Sequence, residues 1–424
     1  MIKKIKQKFQ KEEHKRLLSN FISLAILQGA NYILPLITFP YLVRVLGVEK
    51  FGLLAFAGAT IAYFNILTDY GFNLTATREV SIYRDNKEKL NEIFSSVMII
   101  KFILMIVSFL LLLILVFSFN KFKVHYVVFL LTFGMVIGQV MFPQWFFQGI
   151  ERMKYITFLN ILAKVIFTIA IFIFIHNESD YWKVPLINSL GFIAAGIIAL
   201  YIIMKDFKIK LKFQSLQILK KYFIDGWHIF VANFAGNFYR NFNTLLLGFL
   251  SNNLYVGYYS IAERIIKIIQ TLQNIAGNTV FPYFSNKFSH NKKYFFDFTN
   301  KYLKYIIGIY LLMVFLTFIF SSFIVYLVEG SYQKNIILDL KIMSIVILIG
   351  GLNYYFGVLG LITMGYKKEF SRAIIITGVS NIILSFILVY LFKDMGASIA
   401  LVLSEVILLM ILLKYYLKVK SYVR

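Results

Sequence analysis

Basic side chains stand in this sequence where charge is expensive. Arg240 lies near the middle of the apolar run FVANFAGNFYRNFNTLLLGF, among Asn233, Asn237, Asn241 and Asn243, and the run SIAERIIKIIQ carries Glu263, Arg264 and Lys267. Lys101 and Lys164 interrupt two further apolar runs, and Glu405 is isolated in the last one. Asp69, Arg78 and Glu79 mark the inner part and end of another. A charge at the centre of a bilayer costs about 2.5–3.5 kcal/mol on insertion scales, so such residues are rare and usually face a cavity or one another. Arg240, Arg264 and Lys164 are central, with few carboxylates near them in sequence. A cavity lined by such cations is a site for an anion, and Arg suits bidentate phosphate contact. The candidate anion site is therefore Arg240, Arg264, Lys267, Lys164, Lys101 and Arg78.

Blander readings stand beside it. Glu263 is spaced for an i,i+4 ion pair with Lys267, and Lys101 could snorkel towards an interface. Asp69, Glu263 and Glu405 are candidates for ion coupling or ion pairing. A proton or sodium site and a buried, hydrogen-bonded carboxyl explain Asp69 and Glu405 equally well. Pro35, Pro40, Pro143 and Pro282 remove backbone hydrogen bonds, marking either working bends or static kinks.

These residues need a membrane around them. The chain has 424 residues, 59% hydrophobic and 15% charged, with a mean hydropathy of +0.75. A soluble domain keeps about a quarter of its residues charged and buries one face of each helix. Here the apolar runs go all the way round and recur almost end to end. Each meets the roughly 20 apolar residues that a spanning helix needs. Helices are expected at 19–43, 51–74, 93–119, 124–149, 155–175, 184–204, 223–250, 254–284, 303–328, 336–364, 370–392 and 396–417. The fold class is all-α integral membrane, with about twelve transmembrane helices.

The charge of +24 reports orientation. With the N-terminus in the cytoplasm, the outer side receives only Arg44, Lys50, Lys121, Lys123, Lys183, Lys334, Lys341 and Lys393, and most of the other basic residues fall inside. That is the positive-inside pattern, with both termini cytoplasmic, and no nucleic acid is needed to explain it. Residues 1–18 read as a basic amphipathic segment on the cytoplasmic surface. The basic linker 205–222 divides a first six-helix bundle, 19–204, from a second, 223–424. The halves are weakly alike: Leu46 to Leu53 aligns with Leu250 to Tyr258, which places Gly52 beside Gly257. An even number of helices separates the copies, so the repeat is parallel, a known transporter plan. The sequence has no cysteine, and its histidines (His14, His125, His176, His228, His290) lack metal-ligand spacing. No metal and no cofactor is expected.

Several segments resemble the polysaccharide-exporter branch (Wzx-type, O-antigen flippases) of the multidrug/oligosaccharidyl-lipid/polysaccharide transporter superfamily. They are Ile37 to Gly47 followed by Phe51-Gly52; Asp69-Tyr70-Gly71-Phe72-Asn73 leading to Thr77-Arg78-Glu79; Pro143 to Gly149; and Gly257-Tyr258-Tyr259 leading to Ala262-Glu263-Arg264. The similarity covers essentially the whole chain. It implies two six-helix bundles around a central cavity that opens alternately to each side of a bacterial inner membrane. It implies as cargo an undecaprenyl-diphosphate-linked oligosaccharide of O-antigen or capsule type, carried to the outer leaflet, its pyrophosphate suiting the cations above. Polysaccharide polymerase and chain-length machinery are the implied protein partners. Drug exporters of the superfamily often carry an Asp in the first helix, and helix 1 here has no acid. A lipid II or teichoic-acid-precursor flippase and a cation-coupled drug exporter are the transport alternatives. A membrane polysaccharide polymerase or ligase is disfavoured, because such enzymes usually carry a large outer loop and the outer segments here, such as Ser251–Asn253 and His176–Lys183, are short.

Overall fold

The computed structural model describes the backbone of residues 2–290 and 292–423, and side chains except those at 1–22, 24, 25, 32, 232, 235–240, 282, 289–294, 298, 300 and 422–424. The described residues form helices and no strand: α1 (Ile2–Asp69), α2 (Phe72–Ile82), α3 (Lys87–Ser118), α4 (Asn120–Lys123), α5 (Tyr126–Met141), α6 (Gln144–Gly149), α7 (Met153–Phe174), α8 (Lys183–Lys205), α9 (Leu216–Leu250), α10 (Asn253–His290), α11 (Lys292–Ile319), α12 (Ser321–Glu329), α13 (Lys334–Tyr354) and α14 (Lys367–Val423). A π-helical stretch, Tyr355–Ile362, continues α13. The side chains of the expected amphipathic segment, 1–18, lie outside the described residues.

Eight described segments are long and apolar enough to cross a membrane. Two of them, Ile26–Ile82 and Lys367–Ser421, hold 57 and 55 residues. Straight, either would reach more than twice the roughly 30 Å of hydrocarbon. Each breaks near its middle, as the sequence predicts. Gly47 takes φ 71° and ψ 168°, a backbone state that glycine adopts without steric cost. Lys393 takes φ 51° and ψ −122°. Asn381 Nδ2 then reaches Ser404 Oγ at 2.9 Å across 23 residues of sequence, a separation of roughly 34 Å in a straight helix. The two halves of α14 are an antiparallel pair.

Three other breaks depart from the expected boundaries. The span expected at 51–74 ends at Asp69, because Tyr70 and Gly71 turn to φ 48° and 80° and restart the chain as α2. The span expected at 124–149 divides at Pro143 (φ −78°, ψ 69°), whose missing N–H cannot continue the ladder. Pro35 and Pro40 sit within α1, which runs through them, and the Pro282 side chain lies outside the described residues. The span expected at 303–328 divides at Phe320, between α11 and α12.

The helices pack into two compact units: residues 1–39 with 60–234, and residues 40–59 with 235–424. The long helices α1 and α9 therefore each contribute to both. In the first unit Phe94, Trp145, Phe146 and Phe147 are fully buried, and Tyr70 stacks on Phe223 and Phe230 at 4.5 and 4.9 Å. The basic linker is tied to this unit. Lys210 N donates to Asn91 Oδ1 at 2.8 Å and Lys212 N to Ser95 Oγ at 2.9 Å. Tyr222 donates to Glu92 Oε1 at 3.2 Å, and burial, with the Glu92 carboxylate second, pushes its hydroxyl pKa up. In the second unit Phe295, Phe296, Tyr355, Phe356 and Tyr416 form the core.

The second unit also joins the two segments that align as a repeat. A Cβ on Gly52 would meet the carbonyl of Asn253 and the backbone of Gly257, and one on Gly257 would meet the carbonyl of Val48. These are backbone contacts, which cannot swing aside as a flexible side chain can. Gly257→Ala should therefore force α1 and α10 apart, at about 1–3 kcal/mol for overpacking. Thermal unfolding in detergent should show a lower midpoint for G257A and an unchanged or slightly higher one for Gly308→Ala, where a Cβ meets nothing within 4 Å and alanine is the better helix former.

Candidate functional site

Position along α10 sets the depth of the polar cluster. Arg264 lies 11 residues after Asn253, roughly 16 Å along the helix. Ser260, Glu263, Arg264 and Lys267 recur at helical spacing and so share one face of α10. Asn241 and Thr244 do the same on α9, and Phe51, Ala55 and Ala59 on α1. These nine residues line a cavity of about 280 Å³ within the second unit. It is walled by apolar groups on the α1 side and by two cations and one carboxylate on α10.

The carboxylate is held on both sides. Lys267 Nζ lies 2.9 Å from Glu263 Oε2, and the Glu263 side chain is 12% exposed against 55% for Lys267. Tyr259, fully enclosed, donates to Glu263 Oε1 at 3.3 Å. Asn243 Nδ2 reaches the Tyr259 hydroxyl and the carbonyl of Ala397, each at 3.3 Å, and Ser385 donates to Asn243 Oδ1 at 2.6 Å. Glu263 is thus a fixed counter-charge at the rear of the cluster, leaving the ammonium of Lys267 more open to the cavity. Arg240 precedes Asn241 on α9, and its side chain lies outside the described residues.

The first unit treats its internal cations differently. Lys101 is 4% exposed and lies 3.9 Å from Asp69 Oδ1, which also accepts from Asn73 Nδ2 at 2.7 Å. The cation of this ion pair is enclosed, whereas the Asp69 side chain is 29% exposed. Lys164 reaches Asn31 Oδ1 of α1 at 2.5 Å. Arg78, with its side chain 77% exposed, lies 3.8 Å from Glu79. In the second unit Glu405 accepts from Asn353 Nδ2 at 2.6 Å, just before the π-helical stretch. Of the six residues proposed from sequence for an anion site, the cavity brings together Arg264 and Lys267.

The sequence assigns no role to Tyr259, Asn243 or Ser385, whose types are ordinary and whose roles come from meeting across helices. Among the described residues no group of three or more His, Cys, Asp or Glu could hold a metal ion.

The family model described as "Polysaccharide biosynthesis protein" matches residues 17–288. The chain belongs to this family. A relative from Escherichia coli (strain K12), named "Putative O-antigen transporter", is 33% identical over 399 residues, covering 93% of this chain and 95% of the relative. One from Shigella dysenteriae with the same name is 26% identical over 409 residues, covering 93% and 98%. The fold is similar to an inward-facing multidrug resistance MATE family transporter of the MOP superfamily, at TM-score 0.68 and 14% identity over 95% of this chain and 98% of that one. It is equally similar to the lipid II flippase MurJ in an inward closed conformation, at TM-score 0.68 and 15% identity over 94% and 87%. This family member is a multi-pass membrane protein whose fold is similar to those of these two structures.

The Asp69–Lys101 pair gives a stability test. Breaking a buried ion pair from one side costs about 3–5 kcal/mol, whereas removing both charges is often neutral. Lys101→Met should sharply lower the unfolding midpoint, and Lys101→Met with Asp69→Asn should recover most of it. A double mutant no better than the single would mean that Asp69 and Lys101 act separately.

Proposed function

We propose that this chain carries a polyprenyl-diphosphate-linked oligosaccharide, of the undecaprenyl type used for O-antigen or capsule repeat units, from the cytoplasmic to the outer leaflet of a bacterial inner membrane. The observation that carries the reading is the cavity of the second unit, where Arg264 and Lys267 stand beside one carboxylate, Glu263. A formal excess of cation in a low-dielectric setting favours an anionic ligand, and a diphosphate offers the fork of oxygens that a guanidinium matches. The diphosphate is also the part common to every such glycolipid. Arg240, Lys164 and Lys101 belong to the proposed path as further cations within the spans, and Arg78 as a cation at the inner end of its helix. The O-antigen transporter relatives favour this cargo over lipid II, since they share up to 33% of the sequence whereas likeness to MurJ is one of fold.

Alternating access supplies the route and the membrane potential a drive. Moving about two negative charges out of an electrically negative cytoplasm gains roughly 2.3 kcal/mol per charge per 100 mV. Flipping in proteoliposomes should therefore accelerate when the substrate-loaded side is made negative.

The direct test is complementation of a bacterium lacking its own O-antigen flippase, with surface glycan measured at equal membrane abundance. Wild type should restore the glycan. Arg264→Ala removes one or two charge-assisted hydrogen bonds of about 1.5–3 kcal/mol each, so export should fall about 10- to 100-fold. Arg264→Lys should recover only part of it. Full export by Arg264→Ala would remove Arg264 from the site and leave the transport assignment standing.

A further inference from the structure

The second unit encloses two acids that the cavity does not use. Asp339, five residues into α13, is fully buried. Its Oδ1 accepts from Ser398 at 2.8 Å, and its Oδ2 is buried with no hydrogen-bond partner. The charged group acting on it is the carboxylate of Asp394. Asp394, 3% exposed, follows the break at Lys393 in α14. Its Oδ2 accepts from Asn335 Nδ2 at 3.3 Å, and its backbone carbonyl from the same Ser398 hydroxyl at 3.2 Å. Among the described residues neither acid lies within ion-pair distance of a Lys or Arg. The ammonium of Lys393 turns instead to Tyr255, 3.1 Å from its hydroxyl and 4.4 Å from its ring centre.

Lys393 acts on Asp394 but its ammonium turns to Tyr255, so two enclosed carboxylates still repel in low dielectric, which disfavours ionising both. Asp394 has the better claim to the charge, since it opens the second half of α14 and takes a donor from Asn335. Asp339 retains an oxygen that nothing satisfies. We propose that Asp339 and Asp394 form a proton-binding site in which one proton, carried on Asp339 Oδ2, leaves the pair with a single negative charge. The site lies at the end of the unit that the charge distribution assigns to the outside, so the outer aqueous phase supplies the proton. The titratable groups facing it are Tyr258 and Tyr259 of α10, with Glu329 of α12 reached through Tyr258 and Lys393 beside Asp394.

The pair is also wired to the cavity. Ser398 follows Ala397, whose carbonyl takes the Asn243 amide, and Asn243 leads through Tyr259 to Glu263 and Lys267. Loss of the proton adds a negative charge behind this chain and draws Lys267 away from an anion in the cavity. Proton uptake does the reverse, so occupancy of the pair biases anion binding. This last step rests on the translocation reading above; the proton site itself does not.

Difference infrared spectroscopy of the full chain in liposomes, wild type against Asp339→Asn, tests the site without any substrate. Between about pH 6 and 8, a range in which exposed carboxyls are ionised, the wild type should show a protonated-carboxyl band. That band should shift in D2O, be missing from D339N, and stay unchanged when sodium replaces choline. Absence of the band throughout this range, or its removal by sodium, overturns the proposal. Should D339N fail to reconstitute, Ser398→Ala takes its place. It removes the donor to Oδ1, so the band should move to higher frequency, and an unmoved band again overturns the site. In flipping assays, an acidic outer side should alter the wild-type rate and leave D339N indifferent. Equal response of the two sinks the coupling while the infrared result stands independently.

Discussion

A charge held in hydrocarbon is tolerated only where something answers it, and that constraint arranges the interior of this protein. Lys101, itself enclosed, is answered by Asp69, and Lys164 by the amide of Asn31. Lys267 is answered by Glu263 and remains open to a cavity. The same cost of about 2.5–3.5 kcal/mol per uncompensated charge thus yields two outcomes. The Asp69–Lys101 pair encloses its cation and leaves its carboxylate partly exposed. A pair backed by a hydroxyl and an amide on one side, and open on the other, leaves cationic surface for a ligand. The difference lies in which neighbours the helices bring, because a Lys–carboxylate pair is common to both.

Close helix approach is the second constraint, and it depends on missing side chains. Gly52 and Gly257 let α1 and α10 meet backbone to backbone. That contact sets Phe51, Ala55 and Ala59 of α1 opposite Ser260, Glu263 and Lys267 of α10, which are the walls of the cavity. A packing feature near one end of the unit therefore decides whether the polar face of α10 opens onto space or onto another helix. Helix breaks act similarly. The turn at Lys393 brings Asp394 and Ser398 beside Asp339, which a continuous α14 would carry away from it.

The membrane class, most span positions and the family were legible in the sequence. Hydrophobic runs of membrane length have no other solvent, and a bias of Lys and Arg to alternate loops survives errors of a few residues at each boundary. The breaks at Gly47 and Lys393 fall where polar residues interrupt the runs. The break at Phe320 is marked only by Ser321 and Ser322, a polar interruption too short to distinguish two helices from one. The i,i+4 spacing of Glu263 and Lys267 announced their pairing because one helix suffices to make it.

Tertiary structure decided which charges share a space. Asp69 and Lys101 are 32 positions apart, and no periodicity relates them; only the packing of α1 on α3 does. Asn243, Ser385 and Tyr259 are unremarkable as residue types, and they become the support of Glu263 because three helices converge. Asp339 and Asp394 sit near helix ends, where sequence alone reads an acid as solvated, and burial by neighbouring helices removes that solvent. Hydropathy and charge are properties of segments, so the sequence determined the membrane architecture by itself. Pairing, enclosure and cavity shape are properties of distances between segments, and those existed only once the chain had folded.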